Sequence, residues 1–127
     1  MKQYYAVTLS VAAGMAIGVA GLHALHAQAK SPVYMIALNE ITNADGYKHE
    51  YLPPAQASIK AYGGVYVAAG PGTEIEGTLP KGRIVVLRWD SMAALQAWRN
   101  SPEYTAAHKI GLKYAKYNIV AVNGVGQ

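Results

Sequence analysis

The sequence contains no cysteine and no phenylalanine. Without cysteine there are no disulfides, no c-type haem attachment and no thiol chemistry, so the fold rests on packing alone. Charge is sparse as well: Asp, Glu, Lys and Arg make up 14% of the 127 residues. The net charge is +4, with no basic run; the densest group is Lys109, Lys113 and Lys116. Nucleic-acid binding asks for a clustered basic patch with interleaved stacking aromatics, so no nucleic-acid partner is expected. The chain also lacks a nucleophile elbow, a phosphate loop and a dinucleotide glycine pattern, because Gly70-Pro71-Gly72 leads into a loop rather than a helix. His49-Glu50 has no second histidine to complete a zinc helix. Three or four converging ligands are not provided anywhere, so neither a metal nor a cofactor is expected. A length of 127 residues fits one domain.

What is abundant is tyrosine, ten residues against two tryptophans. A tyrosine buries its ring while its hydroxyl reaches a partner or water. This supply suits a half-polar cavity, or simply takes phenylalanine's place in a core.

The first 30 residues read separately. Lys2 gives a positive start, Ala6 to Leu25 run without charge, and His26-Ala27-Gln28-Ala29 close the segment ahead of Lys30. Basic start, apolar middle and small-x-small end are the parts of an export signal. Cleavage is predicted after Ala29, with Ala27 and Ala29 in the peptidase pockets and Lys30 as the new N-terminus. Removing 29 residues from 127 leaves 98. The alternative is an uncleaved anchor, since ~20 apolar residues can span a bilayer; it would be the chain's only membrane attachment. Either way residues 30–127 would face a periplasmic or extracellular space.

Taken in order, Val33 to Ile41 is an apolar, β-branched strand. Asn43-Ala44-Asp45 offers a helix cap. Tyr47, Tyr51, Ala55, Ile59 and Tyr62 then mark one helical face, with a kink at Pro53-Pro54 or a stop near Tyr51 and a restart. Gly63-Gly64 ends the helix. Val65 to Ala69 is a strand, Gly70 to Gly72 a turn, Thr73 to Ile75 a short extension, and Arg83 to Trp89 a third strand. Asp90 or Ser91 caps a helix with Met92, Leu95 and Trp98 on its buried stripe. Ser101-Pro102 restarts a helix, on which Tyr104, His108 and Leu112 share a face. Tyr117 to Asn123 is the last strand.

The order β–α–β–β–α–β predicts an α+β, ferredoxin-like domain: a four-stranded antiparallel sheet with two helices on one face. Its strands are apolar at almost every position, so the other face needs a cover. A second copy, packed sheet to sheet as a symmetric homodimer, is the economical one.

Tyr47-x-x-x-Tyr51, Ile59-x-x-Tyr62-Gly63-Gly64, Arg83 to Leu87, Ser91 and Ser101-Pro102-Glu103-Tyr104, in this order and spacing, resemble the DUF1330 family of the dimeric α/β-barrel superfamily. The likeness spans Val33 to Gly124, and the Leu25 to Lys30 ending is similar to the family's exported members. The resemblance implies the ferredoxin-like fold and the dimer, and no established reaction. Superfamily neighbours include cofactor-independent monooxygenases, lactone isomerases and haem-handling enzymes. The chain departs from its relatives at Arg88, where they tend to be acidic, and near Gly111, where many carry arginine.

Strand alternation puts Tyr34, Ile36, Leu38 and Glu40 on one side, as it does Ile84, Val86 and Arg88. If the side holding Tyr66 coincides, Glu40, Tyr66 and Arg88, joined by Tyr104 and His108, line a mostly apolar cleft with a few polar groups. Glu40 and Arg88 could instead pair with each other as a structural ion pair. The functional expectation is a small apolar or aromatic ligand. The alternatives are a cofactor-independent isomerase or monooxygenase working in that cleft, and a purely structural or interaction module.

Overall fold

The computed structural model describes residues 31–125; the expected export signal and its expected cleavage at Ala27, Ala29 and Lys30 lie outside them. Four strands, β1 (Val33–Ile41), β2 (Val65–Pro71), β3 (Arg83–Trp89) and β4 (Ala115–Asn123), form one antiparallel sheet in the order β2-β3-β1-β4. Three helices, α1 (Leu52–Ala61), α2 (Met92–Arg99) and α3 (Pro102–Gly111), complete the domain. The expected second helix is broken into α2 and α3 at Asn100-Ser101. Among the described residues no helix is long and apolar enough to cross a membrane.

The core follows strand alternation. Val33, Met35, Ala37 and Asn39 of β1 and Val85, Leu87 and Trp89 of β3 are buried. Tyr51, Ala55, Ile59, Leu95, Trp98 and Tyr104 join them in the core. The opposite face is apolar too. Pairing of Ile36 with Val86 and Val120, and of Leu38 with Ile84, puts these side chains together on it. At its margins Val65, Val120 and Val122 are 54%, 62% and 52% exposed.

Caps fall where side-chain chemistry places them. Asn43 Oδ1 accepts from Gly46 N at 3.0 Å, and Ser91 Oγ accepts from Ala94 N at 3.1 Å. Ser101 Oγ accepts from Tyr104 N at 3.1 Å and donates to Trp98 O at 2.6 Å, so one buried hydroxyl ties the end of α2 to the start of α3. Gly63, at φ +88°, adopts the left-handed conformation that ends α1.

Some boundaries differ from expectation. The chain neither stops nor restarts at Pro53-Pro54. Asn43 opens an α-turn (Ala44–Gly46), Tyr47–Tyr51 follows as a π-helical segment, and α1 continues from it. Leu52 N donates to Tyr47 O, five residues back. The two prolines bring no N–H and their rings crowd the preceding turn; the wider π turn makes room for them. β2 runs on through Pro71, and Thr73 to Ile75 forms no strand. Met92, expected on the buried stripe of its helix, is 36% exposed at the first position of α2.

Candidate functional site

The cleft between the helices and the sheet is built largely of tyrosines. Tyr47 and Tyr51 come from the π segment, where the extra residue per turn still aims both rings inward. α3 supplies Tyr104 and His108, one helical turn apart, and β4 supplies Tyr117. Their rings are in contact in succession. Tyr104 and His108 stack at 5.7 Å between centroids, His108 meets Tyr117 at 5.4 Å, and Tyr117 meets Tyr51 at 5.5 Å. The Tyr51 and Tyr104 hydroxyls, 2.9 Å apart, close the circuit. Trp98 extends it toward the core, 4.0 Å from Tyr104 and 5.0 Å from Trp89. The circuit leaves no room at Gly111, where a Cβ would run into the Tyr117 hydroxyl and the Tyr51 ring. A larger side chain at Gly111 would not fit beside these two rings.

Polar groups surround the rings. Asn39 Nδ2 donates to the Tyr47 hydroxyl at 2.9 Å, while Asn39 Oδ1 is buried with no partner. The Tyr117 hydroxyl, Arg83 Nε and Arg99 Nη1 are likewise buried and unpaired. The Arg99 guanidinium lies 5.2 Å from the centre of the Tyr104 ring. The enclosed space, between Asn39, Tyr47, Tyr66, Tyr104 and Tyr117, is about 30 Å³, room for one or two waters. It adjoins an open groove of about 600 Å³ walled by Arg99, His108, Leu112, Tyr117 and Ile119. Tyr117 and Ile119 belong to both spaces.

Burial dominates the electrostatics. It raises the pKa of Tyr51, Tyr104 and Tyr117; neighbouring phenols add to the rise at Tyr51, and Arg99 opposes it at Tyr104 and Tyr117. Tyr47 and Tyr66 are also raised by burial, with Arg83 pulling the other way. His108 is lowered, first by burial and then by the Arg99 charge, so its imidazole is neutral at neutral pH. A raised phenol pKa stabilises the fold fully below the ordinary value of ~10, and this contribution is lost as pH rises beyond it. An alkaline titration followed by phenolate absorbance checks this. Tyr51, Tyr104 and Tyr117 should ionise only together with unfolding, seen by circular dichroism. All tyrosines titrating near the ordinary value in a folded protein would contradict this.

The five residues singled out from the sequence divide between the two faces. Tyr66 pairs with Leu87 and so faces the helices, where it lines the enclosed space with Tyr104. His108 stands beside them in the groove. Arg88 pairs with Tyr34 on the opposite face, as Glu40 does with Lys116. Glu40 lies six residues along β1 from Tyr34, about 20 Å at ~3.3 Å per residue. The two charges therefore neither line the cleft nor form an ion pair. Arg88 Nη1 contacts Asp90 Oδ1 at 3.3 Å, and Glu40 Oε2 accepts from Asn118 Nδ2 at 3.0 Å. The expectation failed on strand two, where a bulge after Tyr66 shifts the register. Sequence reasoning passed over Asn39, Tyr51, Arg83, Arg99 and Tyr117. The excess of tyrosine over phenylalanine was a signal for the two tyrosines, and nothing in the sequence marked the other three.

Residues 32–125 match the family described as Domain of unknown function (DUF1330). No curated protein matches the chain. Among solved structures, a protein of unknown function from Rhodopseudomonas palustris is similar at TM-score 0.66 and 16% identity, over 77% of this chain and 85% of that one. SnoaB, a cofactor-independent oxygenase from Streptomyces nogalater, is similar at TM-score 0.58 and 9% identity, over 76% and 96%. A dabb family protein with a ferredoxin-like fold from Mesorhizobium loti is similar at TM-score 0.55 and 12% identity, over 76% and 99%. At these identities the likeness is one of fold.

Proposed function

The chain belongs to the DUF1330 family, and from its cleft we propose that it binds a small apolar or aromatic molecule between the helices and the sheet. One observation carries this reading. Buried polar atoms without partners, Asn39 Oδ1, Arg83 Nε and the Tyr117 hydroxyl, border the space lined by the tyrosine rings. Buried polar groups are nearly always paired, so these atoms are available to a molecule that enters the space. An apolar cleft with a few convergent polar groups is the usual form of a small-molecule site. The enclosed space is too small for an aromatic ring, so entry requires Tyr117 to swing toward the groove. Its strand, β4, is an edge strand with no neighbour beyond it. The domain works as a homodimer whose apolar sheet faces cover each other.

A second reading is a cofactor-independent enzyme. His108, neutral and touching the rings of Tyr104 and Tyr117, is the group able to take a proton from a bound substrate. The fold shared with SnoaB is an analogy of architecture only.

Both readings meet in one experiment. Titration of 2-naphthol is expected to shift the Trp98 indole N–H resonance, because Trp98 packs on Tyr104. No shift at millimolar ligand would end the binding reading. Oxygen uptake or product formation in the same sample is what the enzyme reading requires, and unchanged ligand after prolonged incubation would count against it for this compound class.

A further inference from the structure

Charge in the cleft is one-sided. Arg83, Arg99 and Lys116 stand among the residues that wall the enclosed space and the groove, and among the described residues no aspartate or glutamate does. Each arginine has a buried nitrogen with no hydrogen-bond partner: Nε of Arg83 and Nη1 of Arg99. Leaving a buried charged donor unpaired is costly, and structural arginines are ordinarily held by carboxylates or carbonyls. Among the described residues the ion pair that forms is Arg88 with Asp90, on the other sheet face.

Of the two, Arg99 is the one a ligand can reach. It walls the open groove with His108 and Tyr117, and its guanidinium rests on the Tyr104 ring at 5.2 Å from the centroid. That contact holds the planar fork against the ring. Lys116 also walls the groove, but Arg99 is the cation that rests on the Tyr104 ring.

We propose that the ligand of this cleft is an aromatic anion, its carboxylate or ionised hydroxyl held by Arg99 and its ring laid against Tyr104 and Tyr117. The inference rests on the binding reading above and narrows it. A guanidinium donating to an anionic oxygen makes a charge-assisted hydrogen bond, about twice as strong as a neutral one. Burial beside aromatic rings lessens its screening by water.

The probes are 2-naphthoate and 2-naphthamide, one ring system with and without a negative charge, titrated by calorimetry at fixed ionic strength. The protein is expected to bind the naphthoate about tenfold more tightly, roughly the gain from one charge-assisted bond. Arg99→Gln should abolish that preference, while Arg99→Lys should keep part of it. Equal binding of both probes by the unaltered protein would overturn the anion assignment and leave the binding reading standing. Binding of neither would overturn the binding reading, and this inference with it. A preference surviving intact in Arg99→Gln would place the recognising charge elsewhere and likewise overturn the proposal. Should the glutamine variant lose the naphthamide as well, the lysine variant decides: preference retained supports Arg99, and preference lost with naphthamide binding intact refutes it.

Discussion

Trp98→Ala is expected to lower the free energy of unfolding by about 3–5 kcal/mol, a large share of the ~5–15 kcal/mol that holds a domain of this kind together. Trp98 is 1% exposed and lies between Trp89 and Tyr104. Its truncation would open a cavity at the meeting point of β3, α2 and α3. The indole N–H also donates to Ser58 Oγ at 3.0 Å, and Ser58 donates on to Ala55 O at 2.8 Å. Trp98 thereby fastens α1 to the other two helices. Trp98→Phe keeps most of the apolar volume and loses the hydrogen bond, so a cost of about 1–3 kcal/mol is expected for the unpaired partner and the smaller ring. Urea unfolding of the three proteins at one concentration measures both, since an oligomer's stability depends on concentration. A cost below about 1 kcal/mol for the alanine variant would mean that the tryptophan–tyrosine stack is not the centre of the core.

Val86→Asp should dissociate the proposed homodimer. Val86 pairs with Ile36 on one side and Ala68 on the other, so it stands in the interior of the apolar face rather than on its rim. Two-fold packing of that face on itself would bury the new carboxylate with no cation beside it, at a cost of several kcal/mol. The dissociation constant is expected to rise at least about 100-fold, because every ~1.4 kcal/mol is a factor of ten. The side chain points away from the helices, so the monomer should remain folded by circular dichroism. Sedimentation equilibrium reads the outcome. A monomeric unaltered protein at tens of micromolar would remove the basis for the dimer.

The architecture was legible in the sequence because its signals are local. Continuous apolar runs mark β1 and β3, serine and asparagine caps mark the helix starts, and Gly63 marks the end of α1. The cleft was less legible for a physical reason. Alternation tells which residues of a strand share a side, but the side that meets the helices shows only when one face is polar. β1 carries Val33, Met35 and Ala37 on one side and Tyr34, Ile36 and Leu38 on the other, so hydrophobicity does not choose between them. The charges of Glu40 and Arg88 drew attention to the wrong face. The polar residue that enters the cleft from β1 is Asn39, which reads as an ordinary strand-end residue. Arg83 and Arg99 are equally ordinary in sequence: one begins a strand, the other ends a helix. Only the folded chain shows that, among the described residues, no carboxylate pairs with them.

The π turn at Tyr47–Tyr51 holds one residue more than an α-helix would use over the same rise. The wide turn takes up that residue by underwinding, so the segments on either side keep nearly the phase of an uninterrupted helix. Tyr47 therefore reaches Asn39 from the same face on which Ala55 and Ile59 enter the core. A residue removed from this turn should leave that face aimed at the cleft, whereas one removed within α1 would rotate Tyr47 by about 100°. The turn is the place where this end of the site tolerates a change in length.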